Sequence, residues 1–155
     1  MRKSLDTTAV IVVARGCQVR VDIERIRQLS DLEDLVRICF APEEQADFCS
    51  LPCCTRLPAF FAGWARKEAF LQATGAGITR PLASFAVSIA PDALPQVLRV
   101  AADCVAGAGW TLLDLGARER YVAAVAARRP GILVLTRDLS PSLLRLPESE
   151  VDPII

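Results

Sequence analysis

Asp22 and Glu24 stand two residues apart in a segment that reads as a β-strand, so both carboxylates project from one face. Two like charges that close repel unless a cation or an arginine lies between them. Glu68, in the middle of a long helical stretch, would bring a third. Three carboxylates converging from strand and helix make an oxygen-rich site, which hard cations such as magnesium prefer and which water and substrate phosphates complete. An ordinary solvated strand face has the same spacing, and spacing alone leaves both readings open. Lys67 adjoins Glu68. The chain carries two lysines, Lys3 and Lys67, against sixteen arginines. A compact ammonium on a flexible stem suits phosphate and shifts its pKa readily when partly buried; a chance surface lysine is the alternative. Trp64, Phe61 and Leu71 nearby fit a core better than a ligand platform. Gly75 and Gly77 could let backbone approach a ligand, though a short glycine pair is a weak signal.

These residues need elements to position them. Residues 8–14 are apolar and β-branched, Arg15-Gly16-Cys17 reads as a turn, and residues 18–24 return, so a β-hairpin is expected. In the second strand Val19, Val21 and Ile23 alternate with Arg20, Asp22 and Glu24, giving one buried and one polar face. Ser30-Asp31-Leu32-Glu33 has the pattern of a capping box, with Ser30 as N-cap of a helix carrying Leu32, Leu35, Val36 and Cys39. Pro42, Glu43 and Glu44 open a second short helix. Residues 51–58 are expected to connect it to the longest helix, over 59–74, which Gly75 ends. Strands are expected at 84–89, 97–100, 110–115 and 121–127, with another at 132–136. The whole predicts an α+β fold, an antiparallel sheet packed against one long helix and shorter helices. Residues 1–139 form one domain in this reading, and 140–155 a loosely ordered tail.

Composition narrows the function. The 155 residues carry 18 basic and 18 acidic side chains with no block of like charge, which demotes nucleic-acid binding. There is no histidine, so catalysis must proceed without an imidazole base and histidine metal ligands are excluded. The six cysteines fit no zinc or redox spacing and suit reduced thiols in a cytoplasmic protein. The apolar run before Gly16-Cys17 is too short and too charged for a signal segment, and no stretch approaches ~18 apolar residues, so no membrane span is expected. Apolar residues make up 52% without glycine, an excess that leaves room for apolar surface facing a partner.

Taken together the segments resemble a known family. Val21-Asp22-Ile23-Glu24-Arg25-Ile26 resembles the "GVDIE" motif of phosphopantetheinyl transferases. Phe40-Ala41-Pro42-Glu43-Glu44-Gln45 is similar to their "FSPxE" segment. The run from Phe60 to Gly75, with Trp64, Lys67 and Glu68, resembles their "FxxxWxxKEAxxKAxG" signature. Gly77-Ile78, Pro81-Leu82, Ser84-Phe85, Trp110 and Tyr121 also follow the family pattern in order. The resemblance covers about residues 9–127 and implies one lobe of a two-lobed fold, that of the larger, surfactin-synthetase type. It implies transfer of phosphopantetheine from coenzyme A to a carrier-protein serine, releasing adenosine bisphosphate. On it Asp22, Glu24 and Glu68 would hold magnesium on the pyrophosphate. Glu68 would accept the serine proton, directly or through water. Lys67 would stabilise phosphate charge, and Trp64 would support the helix beside the bound coenzyme A.

The departures bear on activity. Arg20 replaces the glycine before "VDIE" and would set a bulky cation beside the metal. Gln72 replaces the second lysine, and Lys3-Ser4-Leu5-Asp6 lacks the upstream serine-histidine motif. The N-terminal lobe of the larger type is absent from the reading. Either the chain self-associates, as short holo-acyl-carrier-protein synthases do, or it is a relative with impaired transfer. A non-catalytic carrier-protein-binding module is the reading from another functional class.

Overall fold

Apolar side chains alternating with charged ones produce a strand whose two faces meet different surroundings. That strand is β1 (Val19–Arg25), and it starts the ordered elements of the computed structural model. Residues 8–75, 80–90, 93–100, 109–116 and 120–138 are described. After β1 come helices α1 (Leu32–Cys39), α2 (Pro42–Ser50) and α3 (Cys53–Thr74). A 3-10 turn at Leu82–Ser84 leads into strands β2 (Phe85–Val87), β3 (Val97–Val100), β4 (Thr111–Asp114) and β5 (Tyr121–Ala127). The α+β class holds. The strands divide into an antiparallel three-stranded sheet, ordered β1-β5-β4, and an antiparallel pair, β2-β3.

The register of the larger sheet fixes which side chains share a face. Arg20, Asp22 and Glu24 lie opposite Ala126, Ala124 and Val122, and Leu112 and Asp114 lie opposite Ala126 and Ala124. This inner face packs under α3, joining Ala124, Ala126 and Leu112 to Phe60, Phe61, Ala65, Ala69 and Phe70 in one core. Phe40, Phe48, Phe85, Val87 and Ile89 complete it. Each buried phenylalanine contributes roughly 1.5–3 kcal/mol by leaving water. The alanines of β5 are small, and small residues let a helix settle close to a sheet. Gly63 does the same for α3: a Cβ there would lie 2.8 Å from Ile89 and 2.9 Å from Phe40.

Several elements differ from expectation. Residues 8–14 form no strand, and the ladder of β1 is taken by β5, so the expected hairpin is absent. A run apolar on both faces carries no alternation to fix its register against a neighbour. Residues 8–14 instead lie over the outer face of the sheet, with residues 132–136, which are likewise not a strand. Together they line a cleft of about 1140 Å³ above Ile23, Ala123, Val125 and Ala127. Asp31, not Ser30, is the N-cap of α1, and no side chain caps it. Most of the expected connector is helical, since α3 begins at Cys53 and includes Pro58. Proline's fixed φ is already helical, and its ring points to solvent, so the turn forms without the hydrogen bond to Cys54. β2 is shorter than the expected strand. Gly75 ends α3 in the left-handed conformation, at φ +73°, as expected. The expected tail, residues 140–155, lies outside the described residues, as does Cys104.

Candidate active site

β1 lies at one side of its sheet, with β5 as neighbour, and turns Asp22 and Glu24 toward α3. On α3, Trp64, Glu68 and Gln72 repeat every four residues and therefore form one stripe along the helix. Strand and helix thus bring the three carboxylates into one electrostatic neighbourhood. Burial holds the Asp22 carboxyl up, followed by the charges of Glu24 and Glu68, to a pKa of about 6; a hydrogen bond from Gln72 opposes the rise. Glu24 is also raised, mainly by burial, with Arg27 opposing and Glu68 adding to it. One oxygen of Asp22, Oδ2, is buried without a hydrogen-bond partner. Among the described residues no group of three acidic or thiol side chains stands close enough to hold a metal ion.

Crowded anions with an orphaned buried acceptor fit a hard divalent cation. The ion would relieve the repulsion and occupy Oδ2, and positions left open would be completed by water or phosphate oxygens. The donor set is all oxygen, as magnesium prefers.

Lys67 lies elsewhere. It is fully buried, and its ammonium donates to Glu44 Oε1 at 2.7 Å, Glu44 Oε2 at 2.5 Å and the Phe85 carbonyl at 2.6 Å. Those three bonds use all three of its hydrogens. Its nitrogen also stands 4.4 Å from the centroid of the Phe85 ring. Burial pushes Lys67 down and Glu44 up, each opposed by the other's charge. The expected phosphate contact is therefore not made: the apolar surroundings of this face of α3 turn Lys67 inward. Its partner Glu44 also accepts from the backbone N–H of Ala41 at 2.6 Å and of Val87 at 2.8 Å. The pair ties α2, α3 and β2 together at the position just before Glu68.

Trp64 is half-buried, with its ring 5.7 Å from that of Phe60, so it braces the helix just before Glu68. Arg20 is exposed and turns back to donate to the Val19 carbonyl at 2.8 Å. The expected cation beside the carboxylates is thereby turned aside.

Two features escaped the sequence reading. Arg66 is buried, donating to Asp114 at 2.9 and 2.5 Å and to the Ser88 carbonyl at 2.6 Å. Its place between Ala65 and Ala69 on an apolar helix was the available signal. Arg25, Arg27 and Arg120 line a cleft of about 350 Å³ next to Glu24, with Ile26, Gln28 and Leu57. The Arg27 guanidinium sits 5.6 Å over the Phe61 ring. The cleft joins strand ends distant in sequence, and no spacing could show it.

Residues 18–126 match the family model of the 4′-phosphopantetheinyl transferase superfamily. A 109-residue stretch is 38% identical to the 4′-phosphopantetheinyl transferase HetI of Nostoc sp. strain PCC 7120, covering 70% of this chain and 43% of that protein. The 4′-phosphopantetheinyl transferase psf-1 of Bacillus pumilus is 38% identical over 83 residues, covering 54% of this chain and 35% of that protein. The chain thus spans less than half the length of the curated relatives it matches. Among solved structures, the holo-[acyl-carrier-protein] synthase of Thermotoga maritima aligns with a TM-score of 0.54 at 20% identity, covering 71% of this chain and 61% of that one. The Chronobacterium ammoniagenes ACPS-CoA complex aligns with a TM-score of 0.51 at 18% identity, covering 73% and 96%. These structures share the fold.

Proposed function

Because the chain belongs to the 4′-phosphopantetheinyl transferase superfamily, we propose that it transfers phosphopantetheine from coenzyme A to a serine of an acyl or peptidyl carrier protein. The observation that carries this reading is the buried, unpartnered Oδ2 of Asp22 among mutually repelling carboxylates. In the transfer the serine oxygen forms a bond to the phosphorus bearing the pantetheine arm. The bond from that phosphorus to adenosine bisphosphate breaks, and the serine proton passes to a base.

Asp22, Glu24 and Glu68 would hold magnesium, which when bound supplies neutralisation of charge on the diphosphate oxygens. Glu68 is assigned the proton, since the chain has no histidine and this carboxylate is half-buried at the site. Trp64 braces the turn of α3 that carries Glu68. Lys67 acts from a distance, locking the helix through Glu44. Arg25, Arg27 and Arg120 border the carboxylates with positive charge and offer a rim for an acidic carrier surface. Among the described residues none of the three forms an ion pair within 4.0 Å.

Self-association belongs to the same reading. Ile11, Val13, Leu133 and Leu135 on the outer layer are 68% to 89% exposed, an apolar surface suited to a second copy. Five described cysteines are free thiols, which fits the cytoplasm. No helix among the described residues is long and apolar enough to cross a membrane.

A second reading, a carrier-binding module without transfer, draws on carboxylates that do not stand close enough together to hold a metal ion among the described residues, and on Gln72 in place of a cation. Incubating the full chain with magnesium, coenzyme A and an apo carrier protein, then weighing the carrier, separates the two. A gain of one phosphopantetheine arm is expected; Glu68→Gln should abolish it. Retained carrier binding with no gain in mass would establish the module instead. Turnover unchanged by Glu68→Gln removes the assigned base.

A further inference from the structure

The outer face of the main sheet, opposite the one that carries Asp22 and Glu24, lies under residues 8–14 and 130–136, and neither segment contains a charged residue. With Ile23, Ala123, Val125 and Ala127 they line the cleft of about 1140 Å³. Sites for small ligands are concave and mostly apolar, measure about 300–1,000 Å³ and carry few polar groups. Two of the floor residues are alanines, too small to fill the space above them. Val10, Val12, Ile132 and Val134 are half-buried and alternate with the exposed Ile11, Val13, Leu133 and Leu135. Each covering segment thus keeps one apolar side for the cleft and one for its surroundings. β5, with seven residues, gives the floor a length of roughly 20 Å. One acyl chain spans about 15 Å, half the hydrocarbon core of a bilayer.

The charge along this cleft is one-sided. Arg15, Arg129 and Arg137 line it against a single acid among the described residues, Asp138. None of the three arginines forms an ion pair within 4.0 Å among the described residues. Arg15 leads into β1 and Arg129 follows β5, and those two strand ends meet. Val19 lies opposite Ala127, and the Arg128 N–H donates to the Gln18 carbonyl at 3.1 Å. Two guanidinium groups therefore belong to one end of an apolar trough. A guanidinium fork matches the two oxygens of a carboxylate. We propose that this cleft binds the anion of a free long-chain fatty acid, its chain along the outer face of β5 and its carboxylate at Arg15 and Arg129. The site lies across the sheet from the acids assigned to transfer, and it does not rest on that assignment.

Laurate serves as the probe, titrated into the full chain by calorimetry below its micelle concentration. Decanoate and myristate test the chain, and 1-dodecanol, followed by displacement of the neutral dye Nile red, tests the head. One laurate per chain is expected, with affinity rising roughly three- to fourfold for each added methylene. Arg15→Gln combined with Arg129→Gln should weaken laurate binding roughly 10-fold or more. The same variant should bind 1-dodecanol as before and melt at the same temperature. Added salt should weaken laurate binding to the wild-type chain and leave 1-dodecanol unaffected. Equal affinity for laurate and 1-dodecanol, indifference to chain length, or uptake that never saturates overturns the proposal. So does a double variant in which both affinities fall together. A chain that sediments with phosphatidylserine vesicles but ignores monomeric laurate has a membrane-docking face instead, and the proposal fails.

Discussion

Asp22 is the residue on which charge and burial conflict most visibly. Its carboxyl, raised from 3.8 to about 6, favours the protonated form in the fold. A group raised in this way contributes stability in full below its unfolded pKa and loses it as pH climbs through the folded value. The metal-free chain should therefore be less stable at pH 7.5 than at pH 5, and Glu24, also raised, acts in the same sense. Glu43, lowered mainly by its hydrogen bond with Arg99, titrates below this window and does not reverse the slope. Denaturation midpoints at the two pH values test this, with magnesium expected to flatten the difference and Asp22→Asn to reduce it. Midpoints that rise toward pH 7.5 contradict the assignment. The pair Lys67–Glu44 makes a separate prediction. Lys67→Met strands a carboxylate at a fully buried position, and the cost should be about 3–5 kcal/mol in urea unfolding. Replacing Glu44 by Gln at the same time should recover part of that loss, because no uncompensated charge remains.

At the level of elements, α3 decides most of the structure. Gly63→Ala gains up to ~1 kcal/mol in helix propensity but forces a methyl against Ile89 and Phe40, where overpacking costs roughly 1–3 kcal/mol. A lower denaturation midpoint is expected, and a raised one would show that these neighbours give way. Much of α3 was legible in advance. Gly75 marked its end, and the apolar residues followed helical spacing. Its start was not, because Pro58 reads as a breaker in sequence, whereas a proline with an exposed ring is tolerated in the structure. β3 and β5 fell where β-branched and apolar runs put them. The hairpin failed because residues 8–14 are apolar on both sides, and local pattern cannot tell a paired strand from a covering layer. The direction taken by Lys67 was hidden for a different reason. Its partner Glu44 lies 23 residues away on another helix, and the acid read naturally as a favourable first-turn charge. Sequence proposed the three acids; the orphaned oxygen of Asp22 needed coordinates.

Over the whole molecule, the inner face of the main sheet is well packed, while the outer face ends in a layer that presents apolar side chains to its surroundings. Val13 and Leu133 are 89% and 87% exposed. If that layer meets a second copy, sedimentation should show concentration-dependent association, and replacing both residues by Asp should return a monomer at every concentration. A chain that sediments as a monomer before any substitution argues against the shared surface. β1 adds a consequence of its own. It borders the described sheet, and its inward side carries Asp22 and Glu24. Ionised side chains directed into a sheet margin are a recognised barrier to fibril growth, since a docking strand would have to bury them. The acids proposed to serve transfer would thus also guard solubility. A doubly neutralised chain, Asp22→Asn with Glu24→Gln, should form thioflavin-positive aggregates sooner than the native one, whatever becomes of its chemistry.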